Sequence, residues 1–390
     1  MDMNKIKNIG LCFPKHFKFY THEVVEGMIP VAAENTCIHF KDLRFMSLDM
    51  ARNRLRSSRV DGLIIGLNKD EYACCQQDLP HDVPIVNVHP DLLSSEIPTV
   101  AIDYVALAHL AVDYLMGLGY RNVACLGAAG ARSSEELARE IASAATEAGI
   151  LCSYFNIYMH PGFYENLAAE QDPEFCAWVE NLPMATAVVT TGGYTALLLE
   201  QTAAAVGRNV PAELAVLSIS DDEVCLFADP PISSFYSAGK DIGRMALTII
   251  NDTLNGVKHP CGKQLLPPPA IIERRSTGFP AGMDEGTKRA LRFIKEHACE
   301  GISVDDVVRH VRIMGRTRLY NQIKRYLGRS PAAEIMRLRI ARAQQLLATT
   351  NLPVTRIVDA CGFNSHAQFS VTFRRETGVT ATAFRKKNSG

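Results

Sequence analysis

Two kinds of hydrophobic pattern divide the chain. Residues 5–277 alternate short apolar runs with stretches of helical periodicity, whereas residues 287–390 show helical periodicity alone. Continuous apolar runs between turn residues are typical of buried strands, and apolar positions three and four apart are typical of amphipathic helices. The first pattern therefore predicts an α/β fold and the second predicts an all-α domain.

The apolar runs of the first part predict seven buried parallel strands. They lie at residues 9–13, 62–66, 84–88, 100–102, 123–126, 187–190 and 214–219. Helical segments separate them, at residues 106–116, 134–148, 194–206 and 240–254. Alternating strands and helices form doubly wound parallel sheets, which bind ligands at the carboxyl ends of their strands. This length suits two such lobes with a cleft between them.

A helix-turn-helix pattern organises the second part. Apolar residues between 354 and 358 share one face of a short helix, and Gly362 can turn the chain at positive φ. Ser365 is a suitable N-cap for a second helix, whose buried side carries Phe369 and Phe373. A helix, a glycine turn and a second helix with a short polar face predict a DNA-reading motif.

The same pattern occurs about fifty residues earlier, with one difference. The first copy has Arg312 where the second has Gly362, and an arginine there either takes an unfavourable positive φ, at roughly 1–2 kcal/mol, or forces another turn. A helix that begins after Ser330 and Pro331 joins the two copies. Two reading heads on a rigid connection suit successive major-groove contacts roughly 34 Å apart.

Exposed polar side chains on the second helix of each copy are the candidate DNA contacts. The predicted base readers of the second copy are His366, Gln368 and, through methyl contacts, Ala367 and Val371. Those of the first copy are Arg316, Thr317, Tyr320 and Asn321. The predicted phosphate contacts are Lys324, Arg325, Arg374 and Arg375.

Charge is divided between the two parts in the same way. Residues 286–390 hold 20 Lys+Arg against 7 Asp+Glu, a net of +13, so the rest of the chain carries −14 and the whole carries −1. A basic module on an acidic body is the electrostatic pattern of a domain that binds nucleic acid. A merely solvated helical surface is the alternative, and the repeated motif argues against it.

The C-terminal residues resemble the DNA-binding domain of AraC-type activators. The resemblance rests on Arg339–Leu347, Cys361–Phe363, Phe369–Gly378 and the pair Phe384-Arg385. It implies a sequence-specific, DNA-binding transcriptional regulator of the activator kind, with double-stranded DNA as its partner and RNA polymerase as a further one. The first motif departs from this resemblance in its turn, where Arg312 replaces the glycine.

The N-terminal part resembles the ligand-binding part of LacI-type regulators, which share the fold of periplasmic sugar-binding proteins. The matching segments are 60–65, 83–87, 100–103, 109–119, 121–124, 210–216, 239–246 and 265–277. LacI-type proteins place their DNA-binding helices first, and this chain places them last. The resemblance implies a homodimer that responds to a xylose-like sugar and controls a sugar-utilisation operon. We expect a sensor at 1–277, a linker at 278–286 and a DNA-binding domain at 287–390.

The LacI-type resemblance implies three polar ligand contacts, and each has a structural alternative. Asp103 is a sugar contact or the N-cap of the helix that follows it. Arg139 is the family's sugar-binding arginine or a surface partner of a carboxylate such as Glu135. Asp221, after a buried strand, is a ligand contact or a loop cap.

Aromatic residues are the remaining candidates for the effector site, and three positions depart from the pattern of the resemblance. Phe17, Phe19 and Tyr20 supply a stacking face for a sugar ring or pack in the core. Tyr104, Gly192 and Ser220 stand where related sensors have Asn, an Asp or Asn, and Asp. Losing two or three polar contacts, each worth roughly 0.5–1.5 kcal/mol, is enough to abolish xylose binding.

Other classes of function find no support in the sequence. No hydrolase elbow, phosphate loop or zinc spacing occurs, so we expect no enzyme, no metal and no cofactor. The eleven scattered cysteines, the absent signal segment and the absent membrane span favour a reduced, cytoplasmic protein without a membrane partner. A solute-binding module whose basic tail binds RNA or a protein is the alternative to a DNA-binding regulator.

Overall fold

The computed structural model describes residues 6–13, 18–34, 37–44, 47, 49–50, 53–54, 59–80, 82–90, 92, 97–129, 131–157 and 172–388. The chain divides into two compact units. The first contains residues 1–114 and 122–278, and the second contains residues 115–121 and 279–390. Within the described ranges, no helix is long and apolar enough to cross a lipid bilayer.

The first unit contains two parallel sheets, one for each lobe. In lobe 1 the strand order is β11-β5-β4-β3-β1-β2, and every pairing is parallel. These strands are β1 (Lys7–Cys12), β2 (Ile38–Asp42), β3 (Gly62–Ile65), β4 (Ile85–Asn87), β5 (Pro98–Ile102) and β11 (Gly262–Leu266). The predicted two-lobed α/β fold is confirmed.

In lobe 2 the order is β12-β10-β9-β8-β6-β7, and only β12 runs antiparallel to its neighbour. These strands are β6 (Asn122–Ala128), β7 (Leu151–Ile157), β8 (Thr186–Thr190), β9 (Leu214–Ser218), β10 (Ser233–Phe235) and β12 (Ile271–Ile272). The sequence missed five strands, β2, β7, β10, β11 and β12. Four of them are short or lie at a sheet edge with alternating exposure, so they lack the continuous apolar run of a buried strand.

Eight helices cover the two sheets in the described part of this unit. They are α1 (Lys18–Glu34), α2 (Lys69–Cys75), α3 (Tyr104–Gly117), α4 (Arg132–Glu147), α5 (Pro173–Asn181), α6 (Gly193–Ala205), α7 (Val224–Phe227) and α8 (Gly239–Leu254). The chain crosses between the lobes three times. The strand after β5 is β6 of lobe 2, the helix after β10 is α8 of the lobe 1 core, and the strand after β11 is β12 of lobe 2.

Helices α1 and α8 approach so closely that their contact requires glycine. A Cβ on Gly27 would lie 1.9 Å from the carbonyl oxygen of Lys240, and a Cβ on Gly243 would lie 1.8 Å from that of Val24. The apolar face of α8, including Ile242 and Ile250, joins the lobe 1 core. The helix that follows lobe 2 in sequence is therefore fixed to lobe 1.

The described part of the second unit contains seven α-helices and two apolar clusters. The helices are α9 (Glu285–His297), α10 (Val304–Val311), α11 (Arg316–Leu327), α12 (Pro331–Thr349), α13 (Val354–Ala360), α14 (His366–Thr377) and α15 (Ala381–Asn388). One cluster lies under α10 and α11, and the other lies under α13 and α14. Helix α12 contributes to both, so it connects two separately packed motifs.

The buried guanidinium of Arg339 ties α12 to the segment before α10. Its Nε donates to the carbonyl of Ala298 at 2.7 Å, and an Nη donates to the carbonyl of Ile302 at 2.8 Å. Helix α9 begins at Glu285 with Asp284 as its N-cap, and Met283 is buried in the first cluster. Residues just before the predicted start at Thr287 are thus packed against the helices.

Glu200, on α6, is a buried carboxyl group with no hydrogen-bond partner among the described residues. It is 6% exposed, and burial, with a smaller effect of the Asp229 carboxylate, raises its pKa to about 8. A carboxyl group with a higher pKa in the folded than in the unfolded chain binds a proton on folding. Its contribution to stability is therefore present in acid and lost as the pH rises through about 8.

We predict that Glu200→Gln reduces the pH dependence of stability. Between pH 6 and pH 9 the wild-type chain should lose stability on the order of 2–3 kcal/mol more than the variant, measured by urea unfolding. Glu180→Gln, which removes an exposed carboxylate of the same lobe, is the control. Parallel pH profiles for wild type and Glu200→Gln would show that Glu200 is not protonated on folding.

Candidate nucleic-acid interface and effector site

The two motifs of the second unit have the local geometry of helix-turn-helix elements. Ser303 starts α10 through a capping box with Asp306, and Ser365 caps α14 by accepting from the Gln368 N–H at 3.2 Å. The turns contain Arg312 at φ 59° and Gly362 at φ 70°, so of the two alternatives for Arg312 the structure has the unfavourable positive φ. Gly362 is required on a second ground, because a Cβ there would lie 2.5 Å from the carbonyl oxygen of Cys299.

All the residues predicted to contact DNA have exposed side chains. On α11 these are Arg316, Thr317, Tyr320, Asn321, Lys324 and Arg325, and on α14 they are His366, Ala367, Gln368, Val371, Arg374 and Arg375. Leu319 and Ile323, and likewise Phe369 and Phe373, are fully buried. The buried pair fixes which face of each helix points outward, so the periodicity in the sequence placed the polar face correctly.

Several of these exposed side chains have neighbours that restrain them. An Nη of Arg316 lies 2.8 Å from a carboxylate oxygen of Asp305 on α10. The Nζ of Lys324 lies 5.8 Å from the centre of the Tyr320 ring. Arg375 donates to its neighbour Glu376 at 2.7 Å. Contact of these residues with bases or phosphates stays a prediction.

In lobe 2, Asp221 is held by Arg274 at the end of β9. The carboxylate accepts from the two guanidinium Nη atoms at 2.6 and 3.0 Å and from the Ser234 hydroxyl at 2.7 Å. This contact raises the pKa of the Arg274 guanidinium. A bidentate arginine pair occupies the oxygens that a sugar would use, so the loop-stabilising role considered for Asp221 is met by a partner in the chain itself.

Asp222, the next residue, faces the start of α6. Its Oδ2 accepts from the Gly193 N–H at 2.7 Å and from the Ser220 hydroxyl at 2.9 Å. A Cβ on Gly193 would lie 2.8 Å from that oxygen, so glycine allows the close approach. Ser220, one of the departures from the LacI-type pattern, is therefore a positioning contact for Asp222.

Glu23 of α1 is the lobe 1 acid near Asp222. Burial raises the pKa of the Glu23 carboxyl, the Ser237 hydroxyl that donates to it opposes this, and the Asp222 charge raises the pKa further. Tyr20, one turn earlier, donates to the Val88 carbonyl at 3.4 Å. Burial raises the pKa of Tyr20, with smaller contributions from Tyr104 and Glu23. Residues from both lobes thus lie together around Glu23.

Asp103, Tyr104 and Arg139, which are also predicted to contact the effector, lie at the start of α3 or on α4. Asp103 accepts from the Ala106 N–H at 3.1 Å and so caps α3, while Tyr104 begins that helix beside Tyr20. Arg139 is on α4, with its Nε 3.3 Å from the neighbouring Glu140 carboxylate and its side chain 69% exposed. Phe17 and the side chain of Phe19 lie outside the described residues.

Sequence reasoning missed Glu23, Asp222, Ser237 and Arg274. Asp222 is adjacent to the predicted Asp221, and only the backbone direction after β9 decides which carboxylate faces α6. Glu23 is in a helix of weak amphipathicity, where no sequence pattern separates a functional acid from a solvated one. Arg274 follows a strand of two residues, which is too short to detect from periodicity.

A cavity of about 490 Å³ lies elsewhere in lobe 1. It is lined by residues at the amino ends of β4, β5 and β11 together with Ile249 and Thr253 of α8. Parallel sheets of this type bind ligands at the opposite, carboxyl ends of their strands. This cavity is therefore distinct from the cluster around Glu23.

Two family models match the chain in succession. A periplasmic binding protein-like domain matches residues 112–277, and a helix-turn-helix domain matches residues 301–387. The xylose operon regulatory protein of Escherichia coli K12 is 27% identical over 386 residues, which cover 95% of each chain. The chain combines a periplasmic-binding-protein-like domain with an AraC-type helix-turn-helix domain. The full-length relatives that it matches are transcription regulators.

Further relatives match all or part of the chain. The xylose operon regulatory protein of Haemophilus influenzae is 25% identical and covers 94% of this chain and 95% of its own. A solved xylose-binding transcription activator has a TM-score of 0.58 at 24% identity, with both chains fully covered. A dimeric Lac repressor has a TM-score of 0.53 at 18% identity, covering 70% of this chain and 100% of its own. These two likenesses show the shared fold.

We predict that Arg312→Gly stabilises the first motif of the regulator. Removing the positive-φ penalty while adding the backbone entropy of glycine should leave a net gain of about 0.5–1 kcal/mol. The measurement is hydrogen exchange at the amides of α10 and α11 in the full chain. Arg312→Ala, which removes the guanidinium and keeps the penalty, should give no gain. Slower exchange in both variants would assign the effect to lost charge.

Proposed function

We propose that this regulator is a homodimeric transcription activator of a sugar-utilisation operon, controlled by a sugar in the cleft of its N-terminal domain. The observation that supports this proposal most strongly is the duplicated helix-turn-helix motif. In each copy the second helix has an exposed polar face opposite a pair of buried apolar residues. Its charge of +13 against an acidic remainder supports double-stranded DNA as the partner. We propose a sensor at 1–277, a linker at 278–286 whose last residues pack against the helices, and a DNA-binding domain at 287–390.

The effector site that we propose lies at the carboxyl ends of the two sheets. Tyr20, Asp103 and Tyr104 come from lobe 1, and Asp222 comes from lobe 2. Sugars are held by carboxylates that accept from paired hydroxyls and by an aromatic or apolar face under the ring. The side chains around Glu23 supply both kinds of group. We propose Arg139 and Asp221 as two further contacts with the sugar.

A sugar bound between the lobes favours the closed state by contacting both of them at once. Ligand shifts such an equilibrium only by its difference in affinity for the two states, typically 1–3 kcal/mol. The two nearby carboxyl groups, Glu23 and Asp222, repel each other when both are charged. Sugar hydroxyls that donate to both offset this repulsion and so favour closure. The fold shared with a dimeric Lac repressor supports a homodimer. We propose RNA polymerase as a further partner, because an activator acts on it. We also propose that the protein is cytoplasmic.

The DNA-binding half of this proposal predicts specific and salt-sensitive binding to the regulator's own promoter region. Replacing both His366 and Gln368 with Ala should weaken binding about 10-fold or more and leave non-specific binding unchanged. Lys324→Ala should reduce the slope of log affinity against log salt by about 0.9. Gel shifts at several salt concentrations measure both, with Arg289→Ala on α9 as the charge-matched control. Equal affinity for unrelated duplexes would instead favour a basic tail that binds nucleic acid without reading it.

The sensing half predicts that one class of sugar raises the melting temperature of the full chain. A screen of pentoses, hexoses and sugar acids identifies it, and a ligand at a hundred times its Kd should stabilise by about 2.7 kcal/mol. Asp103→Ala and Asp222→Asn should remove the shift. Asp229→Asn, at an exposed aspartate of lobe 2, should keep it. Arg139→Ala and Asp221→Ala decide whether these two residues contact the sugar, and loss of the shift in Asp229→Asn would contradict the proposed site.

A further inference from the structure

The two recognition helices of the DNA-binding unit can be compared position by position. Helices α11 and α14 each have 12 residues and are offset by fifty. Both begin at an extended N-cap, residue 315 or 365, and both end at a left-handed glycine, Gly328 or Gly378. Since the buried pairs also correspond, each exposed residue of one helix has a structural counterpart in the other.

The positions near the end of each helix are chemically alike. Lys324 and Arg325 of α11 correspond to Arg374 and Arg375 of α14, and all four are exposed. A cation on a flexible stem suits a phosphate, which has the same charge at every base pair. The two motifs therefore present equivalent cations to a DNA backbone.

The positions at the start and middle of each helix differ. Arg316 and Arg318 of α11 correspond to His366 and Gln368 of α14. Arginine pairs with guanine O6 and N7 in the major groove, whereas glutamine pairs with adenine N6 and N7. The chain thus carries guanine-reading chemistry on one helix and adenine-reading chemistry on the other.

Val371 is the clearest difference between the two helices. It is 70% exposed in the middle of α14, one turn after the exposed Ala367, so the two form an apolar strip on a face otherwise open to water. Its counterpart on α11 is the polar Asn321. Among the base edges of the major groove, the thymine methyl group is the one that takes an apolar contact.

Asp305 adds a second difference, on the helix before α11. Its carboxylate lies 2.8 Å from an Nη of Arg316, and both side chains are exposed. The counterparts fifty residues on are Thr355 and His366, which have no such pair of charges. A carboxylate that holds one Nη orients the remaining N–H groups of the guanidinium, which is the arrangement that bidentate guanine recognition needs.

We propose that the two motifs read unlike subsites. Helix α11 reads a subsite that contains G·C, with Arg316 on guanine and Asp305 as the residue that positions it. Helix α14 reads a subsite of A·T pairs, with Gln368 on adenine and Val371 against a thymine methyl. One chain therefore has a fixed direction on its operator. This inference rests on the DNA-binding function proposed above and specifies its target.

Selection of bound duplexes from a random library by the full-length chain tests this proposal. The wild type should enrich two different sequences about 10 base pairs apart. Arg316→Ala should lose the preference for guanine in one of them, and Val371→Ser should lose the preference for thymine in the other. Enrichment of two like subsites contradicts the inference and leaves DNA-binding function intact. Failure to enrich any sequence contradicts the DNA-binding function itself.

A single methyl group provides a sharper test of Val371. In the selected duplex, replacing the thymine opposite α14 with uracil should weaken wild-type binding about threefold to fourfold, the value of one buried methyl group. Val371→Ser should bind the two duplexes equally well. An equal loss in wild type and Val371→Ser would overturn the assignment of this residue.

Asp305→Asn separates positioning from a purely structural role. Discrimination between guanine and adenine at the α11 subsite should fall about fivefold or more in this variant, while the melting temperature of the chain stays unchanged. Arg309→Ala on α10, which removes an exposed arginine paired with Asp306 instead, is the control and should keep the preference for guanine. A lower melting temperature with full discrimination would show that Asp305 serves only to stabilise α10.

Discussion

The backbone contact between α1 and α8 is the constraint on which the sensor depends. The chain leaves lobe 2 after β10, passes Ser237 and enters a helix whose first turns lie against α1, with glycine on both sides of the contact. Because the two backbones touch, the crossover residue Ser237 is brought to the carboxylate of Glu23. The same contact brings lobe 1 acids near the loop that carries Asp222. The proposed effector site therefore depends on two helices that contain none of its predicted residues except Tyr20.

In the C-terminal unit, buried side chains rather than a backbone contact hold the two recognition helices in place. Each motif has its own apolar cluster, and the register of buried residues on α11 and α14 is the same. A constant core allows the exposed residues to change without moving the helix. The two copies accordingly share cationic ends and differ at the exposed positions that we propose face bases.

Much of this organisation follows from the sequence, and the exceptions have physical causes. The seven buried parallel strands and the fifty-residue repeat were predictable because burial imposes continuous or periodic apolar residues, which a reader can detect. The edge strand β7 and the short β12 were not, since a strand with one open side lacks that constraint. Site residues were predicted least well where two like residues are adjacent. Asp221 and Asp222 differ only in the direction of their side chains, and the structure pairs the first with Arg274 and directs the second at α6.

The buried guanidinium of Arg339 has a consequence for the operator as well as for the protein. It donates to the carbonyls of Ala298 and Ile302, and so fixes α12, the helix that connects the two motifs, to the segment that precedes the first motif. If both recognition helices bind one duplex, as proposed, a rigid connection between them fits only one helical phase of the DNA. One extra base pair between subsites turns the second about 35° out of line. The number of base pairs between the two subsites is therefore as constrained as the sequence of the subsites, although no side chain needs to contact those base pairs.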